Sequence, residues 1–271
     1  MANAPFLETW LECLPALIET VGSMPFALKL DAALDAFCAF DLSCAFAYRP
    51  DGPPVLLHDG LKGISSPQIM ANYINGTYVL DAVYDACCKM IDPGLYRLCE
   101  LAPDDFLEGN YYNSPEVHPC ISLETGSLSE EIVFICQTEQ AHIAYSLLRH
   151  KNSQPFSEDE FTRLKSVAPT VLSLLRRQWP RENPPPVAAS LGGSSANQIA
   201  HSFDTFADDK LTSREQLVVS MILRGHSSLS TANILGIAEG TVKNHRKHIY
   251  SKLGISSQTE LFNMFICHLF P

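Results

Sequence analysis

Apolar positions along this chain change period several times, and each change predicts an element. Phe6, Trp10, Leu14 and Leu17 recur at helical spacing, as do Leu30, Ala33, Leu34 and Phe37, which predicts two amphipathic helices in the first 40 residues. Strands are expected at about 44–49 and 55–58, flanking the turn sequence Pro50-Asp51-Gly52-Pro53-Pro54. A helix is expected from Ser66 to Tyr73, and a second strand pair at 131–137 and 142–149. Ser157 and Glu160 form a capping box that opens a long helix. Phe161, Leu164, Val167, Val171, Leu172, Leu174 and Leu175 line that helix, with a kink expected at Pro169. This order of elements predicts an α/β sandwich over residues 1–180.

The periodicity then lapses. Pro184, Pro185 and Pro186 favour extended geometry, and Gly192, Gly193, Ser194 and Ser195 follow as flexible chain. Only Ile199, Phe203 and Phe206 interrupt this polar stretch with apolar side chains, so residues 181–209 read as a linker. Helical period returns in shorter pieces over 210–271. Thr212 with Glu215, and Ser257 with Glu260, are capping boxes. A first helix carries Leu217, Met221 and Ile222 as far as Gly225; a second, over about 228–235, turns Ala232 and Leu235 inward. Gly236 supplies a tight turn, with Ile237 plugging the core beneath it. A third helix over 239–253 buries Val242, Ile249 and Leu253 and ends at Gly254, and a fourth carries Leu261, Phe262 and Phe265. The expected fold class is α+β: an α/β sandwich followed by an all-α domain of four helices.

Composition adds that the chain can bury a core, with 46% hydrophobic and 18% charged residues. No apolar run approaches the roughly 20 residues that span a bilayer. The opening segment lacks a basic region and carries Glu8 and Glu12, so a secretory leader is not expected and a cytoplasmic location is. Nine cysteines, odd in number and without a C-x-x-C, argue against a disulfide framework or structural zinc. The net charge of −11 argues at first against nucleic acid. Its distribution reverses the argument: residues 211–271 hold six Lys and Arg against three acids, while residues 1–210 carry the excess of acid.

The basic residues sit where two helices meet at a glycine turn. The outward face of the third helix is expected to hold Thr241, Lys243, Asn244, Arg246, Lys247, Tyr250 and Lys252. Such a helix fits the DNA major groove, where amide and cationic side chains reach base edges and neighbouring cations meet phosphates. The alternative is a solvated basic face, and charge alone does not separate the two. Residue spacing does. Leu211-Thr212-x-Arg214-Glu215, Leu235-Gly236-Ile237, Glu239-Gly240-Thr241-Val242-Lys243-Asn244-His245, Ile249-Tyr250-x-Lys252-Leu253-Gly254 and Glu260-Leu261 resemble the LuxR/FixJ-type helix-turn-helix domain of bacterial transcription regulators. The resemblance covers about 60 residues, 211–270. It implies a domain that dimerises through its last helix and inserts its third into the major groove. Lys243, Asn244 and Lys247 would then face bases, and Thr241, Arg246, Tyr250 and Lys252 mostly phosphates. Two departures weaken the domain: Thr231 stands where the family has an apolar residue, and Ala238 where a serine caps the third helix, at a cost of about 1 kcal/mol. His245 and His248 lie three apart without a nearby Cys or carboxylate, so no metal is expected.

The N-terminal element order is similar to GAF and PAS sensor modules and to autoinducer-binding domains. A phosphorylated receiver is not expected, because the region is about 180 residues long and its Asp104-Asp105 pair follows Pro103 at an expected helix start. An acyl-homoserine-lactone pocket is disfavoured, because Gln68, Asn72 and Ala82 stand where its Trp, Tyr and Pro belong. Tyr73, Tyr78, Asp81, Tyr84, Tyr111 and Tyr112 are the candidate ligand-binding residues, set against ordinary core packing of the rings. Asp81 and Glu131 could pair with a cationic ligand, and Cys87-Cys88 could sense oxidants. No enzyme signature is present, and no cofactor is implied.

The expected function is a cytoplasmic, dimeric, DNA-binding transcriptional regulator controlled by a small-molecule effector of unspecified identity. Its partners are double-stranded DNA and a second copy, with RNA polymerase a further candidate and no membrane. One alternative is a ligand-independent regulator whose N-terminal domain dimerises or recruits a partner through the apolar stripe of the 157–179 helix. The other is an acyl-homoserine-lactone quorum-sensing receptor.

Overall fold

Alternation of side chains along five strands, broken only by register shifts at Ala45/Phe46 and Leu128/Glu130, builds one antiparallel sheet with two different faces. The computed structural model describes residues 4–50, 52–61, 67–114, 117–121, 128–182 and 202–270. Helices α1 (Ala4–Thr20) and α2 (Phe26–Phe37) precede strands β1 (Leu42–Tyr48) and β2 (Val55–Gly60). Then come α3 (Pro67–Asn75), a 3-10 turn (Thr77–Leu80), α4 (Ala82–Cys88), β3 (Gly94–Arg97) and α5 (Leu98–Leu101). The hairpin β4 (Leu128–Gln137) and β5 (His142–His150) leads into α6 (Glu158–Glu182). Strand order is β2-β1-β5-β4-β3.

The first face carries Ala45 and Ala47 of β1, Ile132, Phe134 and Cys136 of β4, and Ile143, Tyr145 and Leu147 of β5, packed against α1, α2 and α6. The second face carries Cys44, Phe46 and Tyr48, then Val133 and Ile135, then Ala144 and Leu148, under α3, the 3-10 turn and α4. Pairing of Glu131 with Leu148 and of Val133 with Ser146 puts Glu131 and Ser146 on this second face too. The α6 start is capped as expected, Glu160 accepting from the Ser157 amide at 2.7 Å, and the helix continues through Pro169. Its apolar stripe does not wait for a partner. Leu164, Val167, Val171, Leu174 and Leu175 are buried in the chain's own core, so the expected docking stripe on this helix is not available.

Four elements were not anticipated: the 3-10 turn, α4, β3 and α5 are too short to carry a period. The expected helix start at Pro103 is a series of turns over 103–113. Asp104 there serves a different helix, described below. The proline- and glycine-rich segment, including Pro184, Gly192 and Ile199, lies outside the described residues.

The C-terminal helices are α7 (Ser213–Leu223), α8 (Ser228–Leu235), α9 (Glu239–Leu253) and α10 (Gln258–Leu269). The Thr212–Glu215 box is formed in both directions, Glu215 accepting from the Thr212 amide at 2.8 Å. Lys252 closes it from α9, its Nζ 2.7 Å from Glu215 Oε2. Burial alone would raise the Glu215 carboxyl, but Lys252 and the Thr212 hydrogen bonds outweigh it and hold it at about 2. The turn after α8 needs a left-handed residue, and Gly236 supplies it at φ 64°. Phe203 and Phe206, at the end of the expected linker segment, pack on Phe265 of α10 with ring centroids 4.7 and 5.4 Å away.

Both expected weaknesses are present. Thr231 is 1% exposed and its hydroxyl has no hydrogen-bond partner among the described residues. Ala238 gives α9 no side-chain cap. Replacing an unpaired buried hydroxyl by a methyl of the same shape removes a desolvation cost of about 1–3 kcal/mol. Thr231→Val is therefore expected to raise the urea midpoint of the C-terminal domain without changing the slope; an unchanged or lowered midpoint contradicts this packing.

Candidate functional site

Two sites emerge, joined by one loop. The first is α9. Val242 and Ile249 are fully buried, with Leu253 close to it, which fixes the helix on α7 and α8 and turns its other face outward. Of the seven expected residues, Thr241, Lys243, Asn244 and Lys247 are exposed together. Lys243 pairs with Glu239 at 2.7 Å, a surface contact worth at most about 1 kcal/mol and so easily exchanged for another anion. The other three have partners within the domain, although Lys252 is itself exposed. Arg246 donates to Gln258 Oε1 at 3.0 Å, and Lys252 belongs to the α7 cap. The expectation that Tyr250 faces outward is corrected: its ring packs on the core and its hydroxyl is buried. It lies one residue past Ile249, and the helical turn brings it to the rim of the apolar stripe.

The second site lies on the second sheet face. Tyr73 donates to Asp81 Oδ2 at 2.8 Å, and the hydroxyls of Tyr48 and Tyr73 are 2.6 Å apart. Asp81 Oδ1 meanwhile accepts from the Val83 amide at 2.8 Å as the cap of α4. These groups line a cavity of about 20 Å³, roughly the room one water needs, together with Glu131, His118, Cys120 and Ser146. Tyr78 and Tyr84 stand behind it, edge to face at 4.7 Å. Tyr111 and Tyr112 stand beside His118, with ring centroids 5.3 and 5.4 Å from it. The six expected residues and Glu131 are thus gathered in one region. Glu131 and Tyr112 also line an adjoining cavity of about 370 Å³. Tyr48, His118 and Ser146 were missed. For Tyr48 and Ser146 the signal was there, since both follow from period-2 alternation once register is known; His118 sits in irregular chain and carried none.

Electrostatics here is unusual. Burial, then the nearby Asp81 charge, pushes the Glu131 carboxyl up to about 8, against a Ser146 hydrogen bond. Asp81 is also raised by desolvation, which outweighs its bonds from Tyr73 and Val83. Desolvation drives His118 down to about 3, so it is neutral. Burial thus favours the protonated form of both carboxyls, and the charge of Asp81 adds to the rise at Glu131.

The loop over 103–113 joins this region to the helices. Tyr111 and Tyr112 are at its far end. At its near end the Asp105 amide donates to the Gly225 carbonyl at 2.9 Å. The Asp104 carboxylate accepts from the Ser227 amide at 3.0 Å and from the Ser227 hydroxyl, and Ser227 is the cap of α8. Phe106 lies over Gly225, where a Cβ would stand 2.6 Å from its Cα, and Gly225 has φ 87°. Thr259 of α10 donates to Asn110 at 3.2 Å.

Other candidates carry less. Ser43, His58 and Asp31 converge, but Ser43 and Asp31 both meet the same ring nitrogen, His58 Nε2, at 3.2 and 2.7 Å. A nucleophile relay needs the two nitrogens to serve the two partners separately. The Cys87 and Cys88 thiols are raised, chiefly by desolvation, which opposes thiolate activation. Among the described residues no cluster of three or more His, Cys, Asp or Glu is placed to hold a metal ion, and no helix is long and apolar enough to cross a membrane.

Comparison with known proteins bears on each half. Residues 209–265 match the family described as bacterial regulatory proteins, luxR family. A protein of Aeromonas salmonicida, named as an HTH-type transcriptional regulator in the exeN 3' region, is 41% identical over 116 residues, 42% of this chain and 59% of that protein. The transcriptional regulatory protein MctR of Rhizobium johnstonii is 37% identical over 60 residues, 22% of this chain and 28% of its own. The chain thus spans less than two thirds of the curated relatives it matches. Among solved structures, the VqsR LBD domain of Pseudomonas aeruginosa superposes with a TM-score of 0.53 at 22% identity, covering 64% of this chain and 98% of that one. This is a likeness of fold.

The acid pair makes a sign-definite prediction. A carboxyl whose folded value is raised stabilises nothing above that value: its cost appears as pH climbs from the ordinary glutamate range toward about 8. Glu131→Gln, which cannot ionise, is expected to gain in melting temperature over the parent chain progressively from pH 5 to pH 8. A difference that stays flat with pH contradicts the shared burial of Asp81 and Glu131.

Proposed function

We propose that this chain, whose C-terminal domain belongs to the luxR family of bacterial regulatory proteins, is a cytoplasmic, dimeric transcriptional regulator that answers to a small molecule. Residues 1–180 form the sensing unit and 210–271 the reading unit, with the segment between them as connector. The observation that carries the reading is the open cationic face of α9, fixed from behind by Val242 and Ile249. Lys243, Asn244 and Lys247 would meet base edges, and Thr241 a phosphate. Arg246 and Lys252 can add phosphate contacts only by leaving Gln258 and Glu215, and Tyr250 contributes through packing.

Two copies would read half-sites about one helical turn of DNA apart. Apolar side chains suited to a second copy are exposed on α1, α2 and the turn between them, with Leu11 55%, Ile18 60%, Met24 90% and Leu28 65% exposed. A ligand can act only through unequal affinity for two arrangements of the protein. The 103–113 loop offers the mechanical route, since Tyr111 and Tyr112 meet the ligand region while Asp104 holds Ser227, the cap of the helix in front of α9.

Lys243→Ala and Lys247→Ala are each expected to abolish sequence-specific DNA binding by the full chain while its circular dichroism stays unchanged; retained operator affinity in both removes α9 from the groove. Asp104→Ala, which releases the clasp, is expected to raise the operator affinity of ligand-free protein at least threefold. Unchanged affinity would mean that the clasp does not restrain the reading unit.

A further inference from the structure

The cavity beneath α3 and α4 is polar in an unbalanced way. Two carboxyls line it, Asp81 and Glu131, and among the described residues neither has a cationic partner. The arginines on the flanking strands are committed elsewhere: Arg97 to Glu130 and Glu158, and Arg149 to Glu160 at 2.8 Å. Among the described residues the remaining ionisable neighbours are Tyr48, Tyr73, Tyr111, Tyr112, Cys44, Cys120 and His118, none of which can supply a positive charge, because His118 is held neutral. Tyr111 is a second, separate sign of something missing. It is 3% exposed, its hydroxyl has no hydrogen-bond partner among the described residues, and it lies within electrostatic reach of both Asp81 and Glu131.

Burying an unpaired carboxylate is costly, and a pair of them more so, unless a cation or protons neutralise them. Aromatic walls favour the cation, since ring faces attract positive charge. Phe46 and Tyr73 stand with centroids 4.8 Å apart, and Tyr48 and Tyr84 at 5.5 Å. Space for the rest of a molecule lies in a second cavity of about 370 Å³ that Glu131 also lines, with Leu98, Leu107, Tyr112 and Leu128 beside the polar Asn113, Ser129 and Glu130.

We propose that this site takes a small organic amine in its protonated form, the ammonium group seated between Asp81 and Glu131 and the apolar body in the second cavity. This rests on the reading of residues 1–180 as a ligand-sensing unit and names the class of ligand. The ammonium donates N–H bonds to both carboxylates, and the proton that the empty pair retains near neutral pH is released on binding. Carboxylate-bearing molecules are repelled, and a neutral alcohol of the same length leaves the acid pair unneutralised.

The test uses the full chain and three matched series, n-alkyl and phenylalkyl amines, alcohols and carboxylic acids of six to ten carbons, read by thermal shift and titration calorimetry. Amines are expected to bind about tenfold or more tightly than the alcohols, a margin set by the charge–charge term. They should release a proton, seen as a heat that changes with the ionisation enthalpy of the buffer. Glu131→Gln and Asp81→Asn, both near-isosteric and with the α4 cap kept in the second, are expected to lose that preference while still binding alcohols weakly. Alcohols or acids binding as well as amines, or amine affinity surviving in both variants, overturns the amine class and leaves the sensing reading standing. No series binding at all overturns the class and counts against a small-molecule site as well.

Discussion

The two-residue period of β4 and β5 is the constraint on which the rest of the molecule depends. It sends Ile132, Phe134, Ile143 and Tyr145 to one side and Glu131, Val133, Ala144 and Ser146 to the other. The first side is a conventional core, closed by α6 and the two leading helices, and it leaves α6 nothing to offer a partner. The second side cannot close in the same way, because Glu131 stands in it. A one-residue slip of register would exchange the faces, put Glu131 against α6 and dismantle the site. The sheet thus separates the stabilising half of the domain from the half that can respond.

That responsive side is continuous with the C-terminal helices. Phe106 packs at once toward Tyr111 and Tyr112 and over Gly225, so a displacement of the tyrosines is felt at the turn before α8. A glycine is required there on two counts, its left-handed backbone and the absence of a Cβ where Phe106 approaches. The Asp104 contact is charge-assisted and holds Ser227, the cap of a helix of eight residues that packs on α9. Coupling by this path needs no deformation of the sheet.

Legibility in the sequence followed the length of the elements. The bounds of α7 to α10 could be read almost to the residue, because caps at Thr212 and Ser257 and the glycines at 225, 236 and 254 bracket each apolar stripe, but the stripe of α7 was misplaced: it buries Val218, Val219, Ile222 and Leu223, while Leu217, expected inward, is exposed. The paired strands and α6 were also legible. The short elements between Thr77 and Leu101 were not, since four to seven residues cannot display a period, and their burial is decided by tertiary contacts. The tyrosines were legible as candidates by their density, but not their partners: Tyr48 reaches Tyr73 only through the placement of α3 on the sheet. The role of Asp104 was hidden because its partner, Ser227, lies 123 residues away. On α9 the error was one of degree, with Tyr250 assigned outward although it lies at the edge of the buried stripe.

The central claim is that the exposed face of α9 reads DNA within the intact chain. The most direct measurement is selection of bound fragments from source-organism DNA by the full-length protein carrying a photo-crosslinker at Asn244. The account predicts enrichment of a two-fold symmetric sequence, with the crosslink on a base inside each half-site. Crosslinks confined to protein, or no enriched sequence among the bound fragments, would contradict it.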